Sequence, residues 1–413
     1  MSAAEPVAAD LLAQADLAAA RRAIAGIAVR TPTIACEDLA EATGTAVALK
    51  AECLQASGSF KLRGALNKLA ALGGAPSGLV TASAGNHGRA VADAARLKGV
   101  ACTVFMPRDA PVSKVAAVER LGAQVHLEGT SVEEALDLAG AFAERTGAAL
   151  VHPFDDLDVI AGQGTLGLEL LEDVPDLARV LVPVGGGGLA SGVGIALRRS
   201  RPDVELIGIQ ARACAPYAEA LKPDGGSSAN AELAAGATIA DGIAIKRPGR
   251  LTLPLLRELL SGLMTVTEDE IADAMVFLAE RAKLVSEGAG AVAVAALISG
   301  RVAPHQGTTV AIVSGGNVDS GLLAGLLRRH ETEEGRRVRM FTRVPDRPGG
   351  LAELLQLVAR ARANVVSVEH VREAVPLHVR ETGVELTLET RGPRHTGDVV
   401  DALRTAGYDV GLE

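Results

Sequence analysis

Short β-rich runs recur along the chain, each followed by a longer Ala- and Leu-rich stretch of helical texture: Val47 to Lys50, Leu79 to Ala82, Ala101 to Met106, Gln124 to Leu127, Val180 to Val184, Glu205 to Gln210 and Thr309 to Val313. This alternation predicts an α/β fold, a mainly parallel sheet with helices on both faces. Fully apolar runs such as Val180-Leu181-Val182-Pro183-Val184 suit strands buried on both sides. Ligands in such sheets sit at the carboxyl ends of strands, so the loops after these runs are where chemistry is sought. At 413 residues the chain exceeds the size of a single core, and two or three domains are expected.

Composition excludes several classes. A net charge of -9 with 2% aromatic residues opposes a nucleic-acid surface, which needs clustered cations and stacking rings. Cys36, Cys53, Cys102 and Cys214 are scattered without zinc-site spacing and read as buried thiols of a reducing compartment. Glu5, Asp10 and Asp16 interrupt the apolar pattern that a signal peptide would need, and the longest apolar stretch, Gly288 to Gly300, is too short to span a bilayer. No membrane partner and a cytoplasmic location are the expectation.

From Leu326 the texture changes. The mixed-charge run Arg328 to Arg337 reads as a solvated linker over 326–336. Beyond it the order is strand (Val338 to Val344), helix (Gly350 to Ala361), strand (Asn364 to Val371), strand (Gly383 to Leu388), helix (Thr396 to Thr405) and short strand (Tyr408 to Leu412). That βαββαβ order predicts a small ferredoxin-like unit over 337–413.

Four loops carry candidate chemistry. In Ser57-Gly58-Ser59-Phe60-Lys61-Leu62-Arg63-Gly64, Lys61 opens a helix. It is either an ordinary exposed lysine or a desolvated amine able to form a Schiff base. In Thr81-Ala82-Ser83-Ala84-Gly85-Asn86-His87-Gly88, a loop of amides and hydroxyls meets a helix N-terminus, a place for a carboxylate or phosphate. Asn86 is a helix cap or a donor to a phenolic oxygen, and His87 a solvated histidine or part of a substrate clamp. Gly185-Gly186-Gly187-Gly188-Leu189 offers side-chain-free amides that can wrap a phosphate. The same run also matches a dinucleotide fingerprint, Gly185-x-Gly187-x-x-Ala190 with Glu205 downstream, which leaves a nicotinamide-dependent oxidoreductase as a competing reading. Finally, in Ser314-Gly315-Gly316-Asn317, Ser314 either caps a helix or faces a ring nitrogen.

In this order the four loops resemble the fold-type II pyridoxal-phosphate enzymes, and specifically the threonine dehydratases, or threonine ammonia-lyases. The stretches Asp241 to Gly249 and Glu280 to Gly290 add to the likeness. The resemblance implies pyridoxal 5'-phosphate as cofactor, with Lys61 linked to it, Phe60 behind its ring and Asn86 at the ring oxygen. It further implies Gly185, Gly186, Gly187, Gly188 and Leu189 around the phosphate and Ser314 at the pyridine nitrogen. Ser83, Gly85, Asn86 and His87 would receive the carboxylate of an amino-acid substrate, L-threonine first and L-serine second. Residues 1–325 would form the catalytic domain, built of two α/β subdomains with the smaller, about 52–150, inserted in the larger. Asp346-Arg347-Pro348-Gly349-Gly350-Leu351 is similar to the start of an ACT regulatory domain, where Asp346, Gly349, Gly350 and Leu351 would receive an amino-acid effector. A homodimer or homotetramer is expected.

Two departures refine the picture. Related serine racemases carry a serine where this chain has Ala84, which disfavours racemisation, and some relatives use an acid for a cation where this chain has Gln210, so no metal is expected. Phe154 agrees with the dehydratase pattern or is an ordinary core aromatic. A serine racemase, a hydroxyaspartate dehydratase and a non-catalytic amino-acid sensor remain as alternatives.

Overall fold

The computed structural model describes residues 7–74, 76–222, 238–372 and 378–412. The chain divides into two compact units, Met1–Asp319 and Ser320–Glu413.

The first unit contains two sheets. The larger has six strands, in the order Thr33–Ala35, Val47–Ala51, Thr308–Val313, Leu177–Pro183, Glu205–Ala211 and Gly262–Val266. All neighbours are parallel except the first pair. The smaller is fully parallel, in the order Gln124–Leu127, Cys102–Met106, Leu79–Ala82 and Ala149–Leu150. Leu177–Pro183 lies between two parallel neighbours, which explains its unbroken apolar run. Gly288–Ile298, the long apolar stretch of the sequence, is a helix buried almost all round. A helix without a polar face has no other stable place. Among the described residues no helix is long and apolar enough to cross a membrane.

Helix Lys61–Ala71 packs on helix Leu157–Asp173 at close range, because Gly64 and Gly162 face each other and a side chain on Gly162 would meet backbone 2.6 Å away. Beneath this crossing lies a buried ion network. Arg63 donates through Nε and Nη2 to Glu52 at 2.9 and 2.8 Å, and through Nη1 and Nη2 to Glu169 at 2.6 and 2.9 Å. Lys50 completes it, 2.7 Å from Glu169. Arg63, Glu52 and Lys50 are fully buried. Charges at such depth persist only when paired and hydrogen-bonded on all sides.

The second unit has the βαββαβ order expected of it: Arg337–Pro345, Gly350–Arg360, Asn364–Val371, Glu381–Glu389, Pro393–Thr405 and Gly411–Leu412. Its antiparallel sheet places Glu381–Glu389 and Gly411–Leu412 on either side of Arg337–Pro345, with Asn364–Val371 outermost. It has a core of its own, including Met340, Leu354, Val384, Leu386 and Leu403.

Two expectations are corrected. The charged run read as a linker is, through Glu333, part of a helix, Ser320–Glu333. Its alternating charges serve helical pairing, as in Arg329 Nε to Glu333 at 2.7 Å. The cysteines are free, and Cys53 is only half-buried whereas the other three are buried.

Replacing Arg63 with Ala leaves the Glu52 carboxylate buried without its guanidinium. We expect a loss of about 3–5 kcal/mol of stability, read as a lower denaturant midpoint for the first unit.

Candidate active site

The site forms where two loops pair. The loop entering helix Lys61–Ala71 lies against the loop leaving strand Thr308–Val313: Phe60 N donates to Ser314 O at 3.1 Å and Gly316 N to Gly58 O at 2.9 Å, around an antiparallel bridge between Ser59 and Gly315. Gly58 has φ +80, and the side chain of Asn317 fills the space a Cβ would take. Ser314 is buried and its carbonyl is spent on Phe60, with its hydroxyl 3.5 Å from Ala289 O. It caps no helix, since the next begins at Ser320.

Lys61, the first helical residue, is half-buried rather than exposed. Its Nζ donates to Pro153 O at 2.6 Å and stands 5.1 Å from the centroid of the Phe60 ring. Burial pulls its pKa down to about 8, with the Glu287 carboxylate opposing the shift. Such an amine is a competent nucleophile near neutral pH.

The loop after strand Leu79–Ala82 brings Ser83, Gly85, Asn86 and His87 to the start of helix Asn86–Lys98, which no side chain caps. Ser83 Oγ accepts from Gly85 N at 3.1 Å. His87 departs from expectation. It is buried, its Nε2 meets Val151 O at 2.9 Å, and its Nδ1 is buried without a hydrogen-bond partner. Burial, with Lys61 nearby, pushes its pKa down to about 3. A neutral imidazole cannot hold a carboxylate by charge.

The glycine loop runs into helix Gly188–Ser200, with Gly187 at φ +86. A side chain on Gly186 would overlap the ring of Phe154, and one on Gly188 would come within 3.1 Å of the same residue. Phe154 therefore caps the glycine loop while its neighbour Pro153 holds Lys61. The loop is fixed from behind, because Gly186 O accepts from both Tyr217 Oη and Thr252 Oγ1 at 2.8 Å. Asp155 in turn accepts from the amides of Arg250, Leu251 and Thr252 at 2.9, 2.7 and 3.3 Å. Leu189 belongs to the large core. The loop fits a phosphate: backbone without side chains, a helix N-terminus, and the buried Ser191 Oγ of the first helical turn, which has no partner. The dinucleotide reading fails on geometry. Glu205 is the first residue of its strand, at the end of the sheet away from the glycine loop, and it pairs with Arg179 at 2.8 Å.

Glu287 and Asn317 are site residues that reading the motifs did not assign. Glu287 is buried, accepts from Asn86 Nδ2 at 2.5 Å, and occupies the space a Gly315 side chain would need. Burial and the nearby Asp241 push its carboxyl up to about 7. The one available signal was an acid flanked by small residues at the start of an all-apolar helix. Gln210 spends its amide on Val184 O at 3.1 Å and Ala218 N at 3.0 Å.

Asp346, Gly349 and Leu351 belong to the second unit, where they line a cavity of about 360 Å³ with Val344, His370 and Thr382, and Gly350 opens the adjoining helix. Asp346 is held by a two-pronged pair with Arg372, at 3.0 and 3.1 Å.

A family model described as "Pyridoxal-phosphate dependent enzyme" matches residues 24–315, a span that includes Lys61, Asn86, the glycine loop, Glu287 and Ser314. The chain belongs to this family. It is 45% identical over 399 residues to the L-threonine ammonia-lyase of Thermotoga maritima, covering 96% of this chain and 98% of that one. Among solved structures, a T.th. threonine deaminase is similar with TM-score 0.67 and 39% identity, covering 76% of this chain and 99% of its own. Maize serine racemase superposes with TM-score 0.69 and 33% identity, over 77% and 98% of the two chains.

Gly186→Ala tests the glycine loop of this pyridoxal-phosphate enzyme. We expect at least a tenfold weaker affinity for the cofactor by spectroscopic titration, with unchanged far-ultraviolet circular dichroism.

Proposed function

We propose that the chain is a threonine ammonia-lyase that converts L-threonine to 2-oxobutanoate and ammonia, and L-serine to pyruvate. The observation that carries this reading is the convergence on Lys61: its half-buried amine meets Pro153 O next to the Phe154 that covers the glycine loop, the preceding Phe60 pairs with the Ser314 loop, and its charge is felt at His87 of the Asn86 loop. Likeness over nearly the whole length of the Thermotoga L-threonine ammonia-lyase supports the substrate.

A bound pyridoxal phosphate would supply an electron sink for the negative charge that develops at Cα. Lys61 would hold the cofactor between turnovers and, once freed by the substrate amine, would take the Cα proton, while the β-hydroxyl would leave as water with a proton for which the bound phosphate group is the candidate donor. Glycine-loop amides and the N-terminus of helix Gly188–Ser200 would hold the phosphate. Phe60 would lie behind the ring, and Asn86 would face the ring oxygen. Ser314 would meet the pyridine nitrogen as a neutral partner, which would leave that nitrogen mostly unprotonated and favour elimination over transamination. Ser83, Gly85, Asn86 and His87 receive the substrate carboxylate, His87 by shape rather than charge. At Ala84 no hydroxyl is available to return a proton to the opposite face of Cα, which separates this chain from the racemases it superposes on. The product enamine tautomerises and hydrolyses in water.

The second unit is an ACT-like regulatory domain. Its cavity beside Asp346, Gly349, Gly350 and Leu351 is supported as an effector site by the N-terminus of helix Gly350–Arg360, which suits a carboxylate. A cytoplasmic homodimer or homotetramer completes the proposal.

Keto-acid trapping with L-threonine, L-serine and threo-3-hydroxyaspartate tests the substrate, and turnover of hydroxyaspartate alone refutes it. Borohydride reduction should fix the cofactor on Lys61, and Lys61→Ala should lower kcat at least a thousandfold. Because only the free amine attacks the cofactor, the rate at which apoenzyme takes up pyridoxal phosphate should rise about tenfold per pH unit and level off near pH 8, in stopped-flow absorbance. Calorimetry with isoleucine and valine should show binding that Asp346→Asn weakens if the cavity is an effector site.

A further inference from the structure

Arg89, Asn317, Asn86 and Glu287 form a single hydrogen-bonded row across the site. Arg89 Nη1 donates to Asn317 Oδ1 at 2.8 Å. Asn317 Nδ2 donates to Asn86 Oδ1 at 2.7 Å and to Ser57 O at 3.0 Å. Asn86 Nδ2 donates to Glu287 Oε1 at 2.5 Å. An asparagine amide can present either its donor or its acceptor face to a neighbour, and by itself has no fixed direction. The two ends of this row do have one, because a guanidinium can only donate and a carboxylate can only accept.

We propose that Arg89 and Glu287 are positioning residues that lock the direction of both amides, so that Asn86 always turns its remaining N–H, not its carbonyl, toward the cofactor. This rests on Asn86 facing the ring oxygen, as in the proposed function. The row also accounts for two glycines. Glu287 stands where a side chain of Gly315 would reach, and Asn317 stands where one of Gly58 would.

The lock has a charge requirement. Protonated, Glu287 can donate as well as accept, and its end of the row no longer has a fixed direction. The groups that set its charge come from every element around it: Lys61, Lys114 from helix Val112–Glu119, Asp241 from the turn Asp241–Ile243, and the Cys53 thiol from the turn Glu52–Leu54. Asp241 and the loss of water favour protonation, whereas Asn86, Lys114 and Lys61 oppose it. Lys114 is itself ion-paired with Asp241.

The test uses the holoenzyme and two variants, Glu287→Gln, which keeps shape but removes the obligate acceptor, and Arg89→Met, which removes the obligate donor. The visible absorption of the bound cofactor is titrated from pH 5.5 to 9, with borohydride mapping of Lys61 on the same preparations. We expect the wild-type band to change with a midpoint near pH 7 and that transition to vanish in Glu287→Gln. We also expect kcat to fall at least tenfold in both variants with KM altered less than threefold, and Tm at pH 8 to be unchanged or higher in Glu287→Gln. Wild-type spectra and kcat in both variants, with label on Lys61, overturn the lock and leave the assignment of Lys61 standing. So does a loss of activity that follows a lowered Tm in both, which marks a merely structural role. Label found away from Lys61 overturns the cofactor reading first, and the lock with it.

Discussion

The backbone pairing of residues 58–60 with 314–316 is the contact on which the rest of the site depends. It ties the entry to helix Lys61–Ala71 to the end of a central strand of the large sheet, which leaves Lys61 and Ser314 little freedom to move apart. Main-chain hydrogen bonds serve this purpose well, because both partners are covalently part of the elements they join and no rotamer has to be ordered to form them. The pairing needs close approach, and that need accounts for the glycines on both sides: Gly58 at positive φ, with Gly315 and Gly316 crowded by Glu287 and by Val285 and Cys53.

Charge is distributed in two layers. Below helix Lys61–Ala71, full charges are matched one against another, with Arg63 and Lys50 facing Glu52 and Glu169. At the site itself, burial works against charge. Lys61 is drawn toward its free amine, Glu287 toward its acid, and His87 is held neutral. The first layer stabilises the platform, and the second leaves groups whose protons can move near neutral pH.

Much of this was legible in the sequence, for identifiable reasons. Buried parallel strands write themselves as apolar runs, so Val180 to Val184 and Thr309 to Val313 could be read directly, and runs of Gly such as Gly185 to Gly188 mark places where backbone must be bare. What stayed hidden was short, ambiguous or relational. Ala149–Leu150 and Thr33–Ala35 are too brief to show a period. A mixed-charge run suits a solvated linker and a solvated helix equally, which is why Ser320–Glu333 was misread. Glu287 and Asn317 have meaning only through partners about 200 residues away in the chain, and the neutrality of His87 comes from depth, which a sequence does not state. The fingerprint at Gly185 was settled by which end of a strand Glu205 occupies.

The position of strand Thr308–Val313 has a consequence for how the chain is made. It lies between Val47–Ala51 and Leu177–Pro183, so the large sheet has a gap in its middle until almost the whole first unit has been synthesised. At 5–20 residues per second, roughly 10–50 s separate the emergence of Val47–Ala51 from that of its partner. Ser314 follows directly after that strand. A nascent chain therefore cannot assemble a half-built site, and it must shield one open edge of Val47–Ala51 for most of its time on the ribosome and one of Leu177–Pro183 for a shorter part of it.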